Sequence, residues 1–173
     1  MHRTCLLTIL LLTILLTGCS KTKNIFHERF FALGTLIEIS IHGVDQALAK
    51  RASEQIEQDF HAMHSNWHAW QPGKLATINK QLASMEPFTP DPSLLPLLQK
   101  AGHLSQLSNG LFNPVIGRLI ALWGFHDNAL PIGILPVSTV ITALVNQAPS
   151  INDITYIDNQ LVNHNPAVSY DLG

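Results

Sequence analysis

Six apolar side chains, Ala52, Ile56, Phe60, Met63, Trp67 and Trp70, recur at steps of 4, 4, 3, 4 and 3. Only an α-helix gathers that spacing onto one stripe. Lys50, Arg51, Glu54, Glu57 and Asp59 lie off the stripe. Asp45 supplies an N-cap and Gln71-Pro72-Gly73 a stop, which predicts a helix from Asp45 to about Trp70. A stripe of this kind has to be covered, so the rest of the chain must provide sheet or further helices.

The flanking segments supply both. His27 to His42 reads as extended chain, and Leu36-Ile37-Glu38-Ile39-Ser40-Ile41 alternates as a strand with one buried face. Gly34 interrupts it, as at a bulge or a close backbone approach. Lys74 to Met85 is expected to turn around Leu75, Ile78 and Leu82. A second helix starts at Asp91 or Ser93, faces Leu94, Leu97, Leu98, Ala101, Leu104 and Leu107 inward, and closes on Gly110. Ser138 caps a third, Thr139 to about Asn146. Ile154–Ile157, a turn at Asp158-Asn159, Leu161-Val162 and Val168–Leu172 read as strands. Strands, then helices, then strands predict an α+β fold, with a mixed or antiparallel sheet flanked by helices.

Residues 1–18 stand apart. Cys5 to Leu16 is an apolar run of signal-peptide length, short of the roughly 20 residues a membrane span needs. It ends in Leu16-Thr17-Gly18-Cys19, which resembles the lipobox of bacterial lipoproteins. The resemblance implies cleavage before Cys19, lipidation of Cys19 and a tether over 19–26. The rest of the chain is then expected on the outer side of a bacterial inner membrane, lipid-anchored to the cell envelope. Cys5 leaves with the leader and Cys19 is acylated, so no disulfide or Cys-ligated metal site is expected. Ten Lys and Arg against twelve Asp and Glu give a net charge of −2, which offers nucleic acid no basic surface.

Side chains that carry chemistry are individually weak signals. His61, His64 and His68 fall at i, i+3 and i+7, and the last two could clamp a metal, although no third ligand is implied. Trp67, Trp70 and Trp123 could stack on a flat ring, but two of them lie on the helical stripe, where core packing is the default. No P-loop, Rossmann glycine pattern or Gly-x-Ser-x-Gly elbow occurs.

In order along the chain, the weak pieces form one pattern. Phe31-Ala32-Leu33-Gly34-Thr35 resembles the Met-Gly-Thr step of the ApbE family, the FAD:protein FMN transferases. Trp67-His68-Ala69-Trp70-Gln71-Pro72-Gly73-Lys74-Leu75 through Asn79 is similar to that family's Ser-Thr-Tyr/Trp-Arg-Pro segment. Ser108-Asn109-Gly110-Leu111-Phe112-Asn113-Pro114 through Leu122-Trp123-Gly124-Phe125 resembles its Ser-Gly-Gly-Ala-Phe-Asp to Leu-Trp-Gly-Phe stretch. Tyr170-Asp171-Leu172-Gly173 looks like the start of Asp-Leu-Gly-Gly-x-x-Lys-Gly.

The resemblance implies a Mg²⁺-dependent transfer of FMN from FAD to a Thr hydroxyl of a target flavoprotein, with release of AMP. It places Leu33 at a FAD-contacting position, Trp70 at an aromatic position near the flavin, Leu111, Phe112 and Asn113 in the segment around the nucleotide, and Asp171 at the acidic FAD-binding position. Leu33 stands for the family's Met, Asn113 for its Asp, and Gly73-Lys74 interrupts its Ser-Glu pattern. The family's metal motif has no counterpart up to Gly173, so residues 27–173 are expected to be the N-terminal part of such a domain and the chain a truncated form. Two other readings stay open: a flavin-binding or scaffolding lipoprotein without catalysis, and a Mg²⁺-dependent FAD pyrophosphatase.

Overall fold

The structure, a computed structural model, describes residues 25–127 and 135–172. The expected leader, Cys19, most of the tether and Gly173 lie outside the described residues. The chain divides into two compact units, Met1–Gln58 and Asp59–Gly173.

In the first unit, β1 (Ile25–Ala32) and β2 (Thr35–His42) form an antiparallel hairpin, paired from Ile25–His42 to Ala32–Thr35. Leu33 and Gly34 make the turn with φ of 52° and 71°. A two-residue turn with both residues left-handed matches the twist of paired strands. Gly34 is therefore no bulge in a continuous strand; the chain reverses there. Along β2, Ile37, Ile39 and Ile41 are half-buried and their neighbours exposed, which is the expected alternation. Asp45 Oδ1 accepts the Leu48 N–H at 2.9 Å and opens α1 (Gln46–Trp67). Its buried positions in this unit are Ala49 and Ser53, one step round from the predicted stripe; Ala52 and Ile56 are half-buried. The helix ends at Trp67, so Trp70 and His68 lie beyond it.

The second unit holds α2 (Lys74–Ala83), α3 (Leu95–Leu107), α4 (Gly117–Leu122), α5 (Ser138–Asn146), a 3₁₀ turn at Ile151–Asp153, and the antiparallel pair β3 (Ile154–Ile157) and β4 (Gln160–Asn163). Its core joins Leu75, Ile78 and Leu82 of α2 to Leu94, Leu98, Val115, Ile154, Leu161, Val168 and Tyr170. Full burial of one such aliphatic side chain is worth about 1.5–3 kcal/mol. The β3–β4 turn falls on Asp158 and Asn159, both at positive φ. Phe88 and Leu161 exchange backbone hydrogen bonds of 3.1 and 2.7 Å, which ties the loop after α2 to β4. The described residues thus form an α+β fold with small antiparallel sheets and five helices.

Three expectations change. Leu104 and Leu107 are exposed, because the buried face of α3 runs through Leu98, Ala101 and Ser105. Asn109, not Gly110, takes the first left-handed position after α3, and Gly110 N–H then reaches back to Ser105 O at 2.9 Å. Val168–Leu172 forms no full strand; Ser169 makes one parallel bridge with Ile116.

Candidate functional site

Asp171 is held by backbone bonds on two sides of residues 169–171. Asn113 Oδ1 accepts the Val115 N–H at 3.1 Å, and its Nδ2 donates to Pro149 O at 2.7 Å. That Asx turn sets the path of residues 113–117. Pro114 O then accepts Asp171 N–H at 2.9 Å, Val115 O accepts Ser169 N–H at 3.1 Å, and Ser169 O accepts Gly117 N–H at 2.8 Å. A Cβ on Gly117 would lie 2.7 Å from Ser169 O, so only glycine permits this approach. Asn79, on α2, accepts Tyr170 N–H at 2.7 Å and donates to Tyr170 O at 2.8 Å. Its amide plays the part of a neighbouring strand. Burial, and secondly the Tyr156 phenol, push the fully buried Tyr170 hydroxyl well above its ordinary value.

Residue 126 comes from α4. Gly124, at φ 82°, ends that helix: its N–H reaches Ala121 O at 2.9 Å and Phe125 N–H reaches Ile120 O at 3.3 Å. This pair of bonds is the Schellman closure, which needs a left-handed residue. Two residues later, His126 Nε2 lies 2.7 Å from Asp171 Oδ2, with the side chains 14% and 7% exposed.

The imidazole of His126 stacks on the indole of Trp70, with centroids 4.6 Å apart and planes 15° apart. His68 meets Trp70 edge-on at 4.1 Å, and His64 meets His68 at 5.1 Å. His64, His68, Trp70, His126 and Asp171 therefore form one continuous ladder. Burial first, and the nearby His64 second, hold the His68 imidazole below its ordinary value. Its Nδ1 is shut off from solvent and has no hydrogen-bond partner. Trp70 nevertheless keeps 38% of its surface exposed.

Of the residues singled out by sequence, Trp70 and Asp171 are brought together, through His126. Asn113 spends its side chain on Pro149 and Val115. Leu111 is 94% exposed and Phe112 half as much, in the loop after α3, where Ser108 Oγ accepts the Phe112 N–H at 3.0 Å. Leu33 sits in the hairpin turn of the first unit. Lys74, where the family pattern is interrupted, pairs with Asp91 at 3.1 Å and donates to Ser93 at 2.7 Å. Trp67 packs against the core, and Trp123 caps α4 with its ring partly exposed.

Sequence reasoning missed His126 and the grip of Asn79. A lone His after Trp-Gly-Phe carries no spacing signal, and its partner lies 45 residues on.

The pattern of residues matches a known family. The ApbE family model covers residues 33–173. The chain belongs to the ApbE family. The FAD:protein FMN transferase of Rhodobacter capsulatus is 39% identical over 146 residues, 84% of this chain and 28% of that protein. That of Chlamydia pneumoniae is 32% identical over 122 residues, 68% of this chain and 37% of that protein. The chain thus spans well under half the length of these two ApbE proteins. Among solved structures, the ApbE protein of Thermotoga maritima superposes with a TM-score of 0.72 at 24% identity, over 86% of this chain and 47% of that one. The flavin transferase ApbE of Vibrio cholerae gives 0.70, also at 24% identity, over 87% and 48%. These two establish the ApbE fold for the described units.

Two groups implied by the family can be set against these residues. A flat ring fits beside the ladder, where Trp70 offers exposed indole. Mg²⁺ does not fit. Among the described residues no group of three or more His, Cys, Asp or Glu could hold a metal ion.

Proposed function

We propose that this chain binds FAD along the Trp70–His126–Asp171 ladder and serves FAD:protein FMN transfer to a Thr hydroxyl of a target flavoprotein. The observation that carries the reading is that Trp70 and Asp171, assigned to flavin binding by resemblance alone, meet through one buried imidazole. The curated relatives named for this activity support it. FAD, when bound, supplies the FMN group and leaves AMP behind. The chain's own residues bind and orient: Trp70 offers a face for a ring, and Asp171, a pure acceptor in its ionised form, takes hydroxyl or N–H donors of the nucleotide. Leu111 and Phe112 are proposed as further apolar contacts; for Leu33 a FAD contact is proposed from the resemblance alone.

Transfer is proposed to need Mg²⁺. Lipidation of Cys19 and attachment to the bacterial envelope are part of the same proposal. They rest on Leu16-Thr17-Gly18-Cys19, and would keep the chain near exported or membrane-bound targets.

The test is incubation of the chain with FAD, Mg²⁺ and a Thr-bearing target, followed by a denaturing gel. A fluorescent flavin band on the target, lost when its Thr is changed to Ala, is the expected result. FAD binding without label would leave a flavin-binding lipoprotein. FMN and AMP without any target would mark a pyrophosphatase.

A further inference from the structure

His126 touches both residues that the proposed flavin site needs. Its Nε2 is bonded to Asp171 at 2.7 Å, and its ring lies within 15° of parallel to that of Trp70. An aspartate side chain has more than one staggered χ1 well open to it. A buried N–H donor selects one. Stacked aromatic rings attract each other, so the His126 imidazole favours the Trp70 rotamer that keeps the two in contact. The Schellman turn at Gly124 fixes where the imidazole arrives, because its two backbone bonds leave the next residues little freedom.

We propose that His126 is a positioning residue for the flavin dinucleotide, holding the Asp171 carboxylate and the Trp70 indole in one arrangement before the ligand arrives. The inference rests on the reading of this ladder as a FAD site. Preorganising two side chains is worth about tenfold in affinity. His126 makes no contact with FAD in this account; it acts through its two neighbours.

The test is FAD titration of the purified chain and of two variants, followed by flavin fluorescence, with thermal melting as the control for folding. H126F keeps a ring behind Trp70 and removes the donor to Asp171. H126Q returns an N–H. The expected result is FAD binding weakened about tenfold in H126F, and partly recovered in H126Q. A second readout needs no FAD: ¹⁵N NMR of the ligand-free chain is expected to show His126 protonated at Nε2, with that preference lost in D171N.

H126F binding FAD as tightly as the parent chain would overturn the inference and leave the FAD reading intact. A parent chain that binds no FAD would overturn the FAD reading and the inference with it. Should H126F fail to fold, the NMR result decides, and a proton held at Nδ1 instead of Nε2 would overturn the proposal.

Discussion

Single side chains carry more of this architecture than their type suggests. Asn79 satisfies both backbone groups of Tyr170, as a neighbouring strand would. N79A leaves a buried N–H and C=O without partners, at about 1–3 kcal/mol for each group. A marked fall in urea midpoint is expected, and an unchanged midpoint would show that water replaces the amide. Asn113 tells a similar story about a departure from the family pattern. Its Nδ2 donates to Pro149 O, which an Asp could not do. N113D is expected to destabilise the chain by about 1–3 kcal/mol, read by the same urea titration, because it sets a carboxylate against a carbonyl. His68 adds a pH dependence. Burial holds its folded value below the ordinary 6.5, so the unfolded chain takes up the proton first as pH falls. Stability is therefore present above about pH 6.5 and drains away below it. Melting at pH 7.5 and 5 checks this: H68Q is expected to lose less stability over that interval than the parent chain, and an equal loss would sink the assignment.

At the scale of elements, both hairpins turn on two left-handed residues, yet only one was readable. Asp158-Asn159 is turn chemistry between two short apolar runs, so β3 and β4 emerge from sequence almost as folded. Leu33-Gly34 looks like an interrupted strand, since Leu rarely accepts a φ of 52°. The strain sits at a residue proposed to touch flavin. L33N is expected to raise stability by about 1 kcal/mol, read as a higher melting temperature, and an unchanged melt would show that the turn holds no strain. The helices were legible where their stripes face the core. Leu75, Ile78 and Leu82 are all buried as spaced. α3 misled because Leu104 and Leu107 continue the periodicity past the point where anything covers it. The close pass of Gly117 against Ser169 left no trace in sequence, because a glycine near a helix start has many explanations. G117A is expected to cost about 1–3 kcal/mol and to loosen Asp171, seen as a lower melting temperature.

Across the whole molecule, fold class followed from the order of strand and helix patterns, while the site did not follow from any pattern. Trp70, His126 and Asp171 come from the loop after α1, the loop after α4 and the segment bridged to residues 114–117. Their meeting depends on the core around Leu98, Val115 and Tyr170, which ties these segments together. Local periodicity cannot report such a long-range meeting; the order of family-like segments could, and it pointed to Trp70 and Asp171 without showing the imidazole between them. Leu33, in the other unit, and Asn113, committed to its Asx turn, show how resemblance names positions without saying what they do. The proposed activity requires that the ladder bind flavin. The direct measurement is equilibrium titration of the chain with FAD, beside W70A and D171A variants that melt normally. Binding by the parent chain, weakened about tenfold or more by each substitution, is the expected result. Equal affinity in all three, or none in the parent, would contradict it.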